Sequence, residues 1–258
     1  MRRLEGRVAL VTGGGVSPEQ VGSGLGRAMS VELAKEGAKV VVADLDLEHA
    51  RTTVAEVEKA GGEAVAVEAD VTDEASIRSM VDASLEAYGK IDILINNAGV
   101  FGAFKPLLEI ESEQWDKVME VDVKGVFLVT KAVLPHMLER GNGVVLNVSS
   151  ASGVVASEVG AEYTAAKHAV IGLTKQIAYD YGHQGIRAVG IGPGVIKTAA
   201  HEGEITSDFP FYDLTMEAPA GRYGEALEVA RTVAFLVSDD ASFIHGHTIP
   251  VDGGSPIR

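Results

Sequence analysis

The sequence predicts an α/β fold: a doubly wound sheet of seven parallel strands with helices on both faces. Three observations carry that expectation. Short apolar runs alternate with longer amphipathic segments along the whole chain. The runs are continuous Val, Ile and Leu stretches, as in strands buried on both faces. No repeat, low-complexity tract or linker interrupts the alternation, so residues 1–258 read as one domain.

The elements follow in order. Residues 8–12 form the first strand and 24–36 the first helix. Val40, Val41 and Val42 centre a strand over 39–44, and a helix follows over 47–60. A strand at 64–69, a helix at 76–88 and a strand at 91–96 come next. A long helix spans 112–138, bent or ending near Pro135, because proline removes a helical hydrogen bond. A strand at 144–149, a helix at 163–181, a strand at 188–191, a helix at 226–237 and a strand at 248–251 complete the series. Right-handed crossovers place every strand's C-terminal end on one edge. Gly13, Asp44, Asp70, Asn96, Ser149 and Gly192 then line that rim, where ligands bind in such sheets.

Composition limits the function. With 22 Lys+Arg against 37 Asp+Glu the formal net charge is −15, which argues against nucleic acid or an anionic membrane as partner. The chain has no Cys, which excludes disulfides, thiolate metal sites and thiol nucleophiles. No apolar run is long enough to span a membrane, and the one after Arg2, Arg3 and Arg7 is too short for a signal peptide. A soluble cytoplasmic protein is expected.

The chemistry concentrates at the rim. The first turn reads Thr12-Gly13-Gly14-Gly15, and after residues 16–23 it continues Gly24-Leu25-Gly26. Glycines let backbone approach a pyrophosphate, and the helix N-terminus supplies amides and a favourable dipole. Asp44 ends the second strand, 18 residues after Gly26. A carboxylate there accepts from both adenosine ribose hydroxyls and repels a 2′-phosphate, so NAD is expected over NADP. Asp46 is the better candidate for capping the next helix. Tyr163 and Lys167 are four apart and share one helix face. Ser150, 13 residues before Tyr163, adds a hydroxyl at the end of the fifth strand.

With these residues the chain resembles the short-chain dehydrogenases/reductases over nearly its whole length. The resemblance rests on the glycine turn, Asp70-Val71, Asn96-Asn97-Ala98-Gly99, Ser150, Tyr163 with Lys167, Pro193-Gly194 with Thr198, and Val251-Asp252-Gly253-Gly254. It implies a Rossmann-type domain in which Tyr163 is the general acid/base. A phenol titrates near ~10, and an ammonium about 4 Å away at an effective dielectric of ~20 favours its anion by about 4 kcal/mol. Lys167 therefore supplies most of the acidity needed near neutral pH, and it also holds the nicotinamide ribose. Ser150 holds the substrate oxygen.

The resemblance also assigns Gly13, Gly24, Leu25 and Gly26 to the pyrophosphate, and Asp70 and Val71 to the adenine. Asn96, Ala98 and Gly99 go beside the adenine ribose, and Pro193, Gly194, Ile196 and Thr198 hold the nicotinamide. It implies an NAD-dependent enzyme acting on a small alcohol or ketone. A homotetramer is expected through the two long helices and the C-terminal strand. The same fold also serves NADPH-dependent 3-oxoacyl-thioester reductases, against which Asp44 counts, and non-catalytic dinucleotide-binding regulators, against which the retained Tyr163 and Lys167 count.

Two departures stand out. Residues 16–22 read as an insertion in the family's compact turn, expected to bulge outward while Gly24 and Gly26 keep the helix N-terminus in place. Asp122, in Val121-Asp122-Val123-Lys124-Gly125-Val126-Phe127, stands where the family has a catalytic Asn. An ionised Asp122 would raise the Lys167 pKa and offset part of its pull on Tyr163, giving an alkaline optimum for alcohol oxidation. Residues 199–221, rich in aromatic and acidic side chains, are expected to cover the substrate, with residues 100–108 and 152–162 as the other walls.

Overall fold

A computed structural model describes residues 2–17, 24–197 and 211–255. In chain order it builds β1 (Val8–Thr12), α1 (Leu25–Lys35), β2 (Lys39–Asp44), α2 (Leu47–Lys59), β3 (Glu63–Glu68), α3 (Glu74–Tyr88) and β4 (Ile93–Asn96). Next come α4 (Ser112–Val118), a π-helical stretch (Met119–Gly125), α5 (Val126–Arg140), β5 (Gly143–Val148), α6 (Ala161–Tyr181) and β6 (Ile186–Pro193). The short β7 (Ile196–Lys197), α7 (Tyr212–Met216) and β8 (Gly224–Glu225) lead to α8 (Ala226–Leu236) and β9 (Thr248–Val251).

Seven strands form one parallel sheet in the order β3-β2-β1-β4-β5-β6-β9. β1, β4, β5 and β6 are buried along their whole length, which explains their unbroken apolar sequences. Helices cover both faces. Met29 and Leu33 of α1 pack with Val229 and Val233 of α8 on one side. Met80 of α3, Val133 of α5 and Ile177 of α6 fill the other. The chain runs outward from β1 in both directions, so a crevice opens above β1 and β4 at the C-terminal edge.

Local chemistry sets the helix starts. Asp46 caps α2, accepting from the amides of Glu48 and His49, and Asp73 caps α3, accepting from Ala75 and Ser76. The Asp73 cap makes α3 begin two residues earlier than the hydrophobic period suggests. The long helix differs more from expectation. It does not end at Pro135, which lies inside α5 with Val133, Leu134 and Met137 buried around it. The irregularity is the π-helical stretch before it, which turns Asp122 into the interior. Among the described residues no helix is long and apolar enough to cross a membrane.

Candidate active site

The glycine turn lies at the crevice. Gly13 adopts φ +59°, and a Cβ there would meet the Ala98 backbone at 2.8 Å. At Gly26, one residue into α1, a Cβ would collide with the Gly13 carbonyl and the Asn97 amide. Asn97 Nδ2 itself donates to the carbonyls of Thr12 and Gly13, at 3.0 and 2.8 Å, tying the turn to the end of β4. Asp44 Oδ2 accepts from the Gly15 amide at 2.9 Å, which seats its carboxylate against the turn. Unlike α2 and α3, α1 has no side-chain cap and no acidic residue in its first turn among the described residues. Open amides, a positive dipole end and backbone with no room for side chains fit a dinucleotide pyrophosphate.

Other expected cofactor residues divide. Asp70 caps its own turn, accepting from the Thr72 amide and hydroxyl at 2.8 and 2.7 Å, and Val71 packs over Gly125. The Asn96 side chain faces inward, donating to Thr130 Oγ1 and Asn147 Oδ1, so only its backbone reaches the rim. Ser149 is likewise turned in, bonded to the Lys167 carbonyl. Ala98 adjoins Gly13, and Gly99 lies against the Asp122 carboxylate. Pro193 ends β6 and Gly194 follows it at the same edge, with the Gly194 amide on Val251 O, and Ile196 is buried in β7. Thr198 lies outside the described residues, as do residues 18–22 of the insertion. Val16, at its start, is buried and bonds to the His49 carbonyl.

Ser150, Tyr163, Lys167 and Asp122 come from three segments. Ser150 follows β5 and accepts from the Ser152 amide at 3.1 Å. Tyr163 and Lys167 occupy the first two turns of α6, and the Lys167 ammonium stands over the Tyr163 ring, 5.3 Å from its centroid. Lys167 is only 5% exposed and Asp122 is fully buried. Asp122 Oδ2 pairs with Lys167 Nζ at 2.9 Å, and Asp122 Oδ1 accepts from the Val100 amide at 2.8 Å. Lys167 Nζ also donates to the Val148 carbonyl at 3.4 Å. Burial opposes the charge on Lys167, but the Tyr163 oxygen and the Asp122 carboxylate outweigh it, and the lysine pKa is raised.

An aromatic row extends from Tyr163. Its ring lies 5.9 Å from Phe101, which is 6.2 Å from Phe104, which is 6.1 Å from Phe211. Phe104 and Phe211 hold left-handed backbone, φ +55° and +61°, the two non-glycine residues to do so among those described. Phe211 represents the expected covering segment, whose residues 199–210 lie outside the description. Phe101 and Phe104 were within an expected wall, but nothing in their spacing marked them as partners of Tyr163. A groove of about 810 Å³ runs along another face of α6, past Thr164, Ala165 and His168. It shares Phe104 with the aromatic row and includes none of Ser150, Tyr163, Lys167 and Asp122.

Comparison with known proteins places this architecture. A family model described as enoyl-(acyl carrier protein) reductase matches residues 21–255. Levodione reductase of Leifsonia aquatica is 40% identical, covering 98% of this chain and 95% of its own. A crystal structure of levodione reductase superposes with a TM-score of 0.90, covering 99% of this chain and 100% of that one. Cyclohexanol dehydrogenase of an Acinetobacter species is 36% identical over 97% of this chain and 95% of its own. The 3-oxoacyl-[acyl-carrier-protein] reductase FabG of Thermotoga maritima is also 36% identical, over 98% of both. The chain belongs to the short-chain dehydrogenase/reductase family, oxidoreductases of alcohols and ketones that use a nicotinamide dinucleotide.

Proposed function

We propose that the protein interconverts alicyclic secondary alcohols and ketones with NAD, within one domain, using Tyr163 as general acid/base. The observation that carries this reading is the Tyr163 phenol beside the Lys167 ammonium, itself anchored on buried Asp122, at the edge that holds the glycine turn. The bound nicotinamide supplies hydride transfer at the substrate carbon. Tyr163 Oη takes the alcohol proton in oxidation and returns it in reduction. Ser150 Oγ donates to the substrate oxygen and stabilises charge there. The Lys167 ammonium stands over the Tyr163 ring and binds the nicotinamide ribose, and Asp122 holds that ammonium in place.

Gly13, Gly24, Leu25 and Gly26 receive the pyrophosphate. Asp70, Val71, Ala98, Gly99 and the Asn96 backbone surround the adenosine, and Pro193, Gly194, Ile196 and Thr198 the nicotinamide. Asp44 supports NAD over NADP, because a 2′-phosphate would meet its carboxylate. The aromatic row supports a ring-shaped apolar substrate, as does similarity to a cyclohexanol dehydrogenase.

Fluorescence titration tests the cofactor. Wild type binds NADH well ahead of NADPH. Asp44→Ala weakens NADH binding about 10-fold or more, the worth of a hydrogen bond to a charged group, and narrows the preference. Equal wild-type affinity for both would overturn the NAD reading and favour the 3-oxoacyl-thioester alternative. Single-turnover assays with NAD⁺ against cyclic, linear and sugar alcohols test the substrate. A homotetramer is part of the proposal, supported by exposed Phe127 and Tyr179 on α5 and α6. Light scattering at four times the mass of one chain is the expected result.

A further inference from the structure

Glu162, the residue before Tyr163, is fully buried. An acidic residue in the first turn of a helix gains from the dipole while remaining in water, so the dipole does not account for its burial. Its Oε1 accepts from the Ala103 amide at 2.5 Å, and the next amide, Phe104, donates to the Val159 carbonyl at 3.0 Å. Its Oε2 is buried and accepts no hydrogen bond among the described residues. Two glycines enclose the carboxylate. A Cβ at Gly102 would lie 2.9 Å from Oε1, and one at Gly160 would lie 2.5 Å from Oε2. A half-satisfied buried carboxylate is a costly way to pack a helix start. What it secures is the loop carrying Phe101 and Phe104. Phe104 has a strained left-handed backbone, and such strain persists only where its surroundings hold it.

We propose that Glu162 is a positioning residue that clamps this loop to α6, so that the carboxylate–Ala103 hydrogen bond sets the apolar wall beside Tyr163 and with it the preference for ring-shaped substrates. The inference rests on the reading of Tyr163 as the reacting phenol. Phe101, 71% exposed, has the Tyr163 and Phe104 rings as neighbours and depends on the loop for its position. Without the clamp the ring leaves the substrate's flank while Ser150, Tyr163 and Lys167 stay in place.

The test compares wild type, Glu162→Ala and Glu162→Gln in two ways. The first is hydrogen exchange of the peptide containing Ala103. Loss of the acceptor in Glu162→Ala speeds exchange about 10-fold or more, and Glu162→Gln, which keeps an oxygen at Oε1, restores protection. The second is steady-state oxidation of cyclohexanol and propan-2-ol. In Glu162→Ala the KM for cyclohexanol rises about 10-fold with kcat little changed, whereas propan-2-ol, too small to reach the rings, is unaffected. Glu162→Gln restores the selectivity. Unchanged exchange in Glu162→Ala, or an unchanged ratio of the two KM values, overturns the clamp. Equal fall of kcat for both alcohols also overturns it, since that places Glu162 in the chemistry itself. If wild type oxidises neither alcohol, the substrate reading fails, and exchange alone still decides whether Glu162 holds the loop.

Discussion

Replacing Tyr163 by Phe lowers kcat by about 10³-fold, within the range that a positioned general acid/base contributes. The substitution removes one oxygen. The ring keeps its contact with Phe101 at 5.9 Å and remains beneath the Lys167 ammonium, so folding and thermal stability hold. NADH affinity stays close to wild type, because the glycine turn and Asp44 are untouched. The loss therefore falls on kcat, as for an interaction used in the transition state. Stopped-flow measurement of NADH formation checks this directly. A variant within tenfold of wild type would remove Tyr163 from the chemistry.

The second large effect is at Asp122. Asp122→Ala leaves the Lys167 ammonium buried without its carboxylate and the Val100 amide without its acceptor. Removing one partner of a buried pair costs roughly 3–5 kcal/mol. At about 2–4 °C per kcal/mol for a chain of this size, Tm falls by roughly 6–20 °C. Replacing both partners, as in Asp122→Leu with Lys167→Met, recovers much of that stability while abolishing turnover, because apolar side chains carry no desolvation cost. Calorimetry on Asp122→Leu, Lys167→Met and the double variant isolates the pair.

Asp122→Asn separates charge from packing. The amide oxygen still serves Val100, but the charge that helps overcome desolvation of Lys167 is gone. The lysine pKa then falls, and the alkaline limit of activity moves to lower pH. The stability linkage has the same sign. A lysine with a raised folded-state pKa stabilises fully below its unfolded value near ~10.4 and loses that contribution as pH rises through the folded value. Wild type is therefore protected to higher pH than Asp122→Asn. Superimposable pH–rate profiles would dissociate Asp122 from the lysine's ionisation.

The sheet was legible because strands covered on both faces must be apolar throughout, and runs such as Val40-Val41-Val42 have few other uses. Helix starts were legible where Asp46 supplied a cap and less so at Asp73, whose helix begins before its apolar period. The π-helical stretch at Met119–Gly125 was not legible, since one extra residue in a turn leaves composition unchanged. Pro135 does not end the helix, because buried neighbours hold α5 through a missing hydrogen bond. At the site, Tyr163 and Lys167 could be paired by spacing alone. Glu162 could not be singled out, because a glutamate in a first helical turn is ordinarily solvated. The left-handed Phe104 and Phe211 gave no signal, as phenylalanine lacks the backbone preference that marks glycine.

The π-helical stretch also fixes a length. In an α-helix each residue advances the rotation by about 100°, so deleting one residue between Met119 and Asp122 would swing the carboxylate around the axis and away from the lysine. Substitutions on the outward side of this segment are tolerable to the enzyme; shortening it is not. Among natural variants of this chain, single-residue deletions at these positions should be purged even when Ser150, Tyr163 and Lys167 are intact.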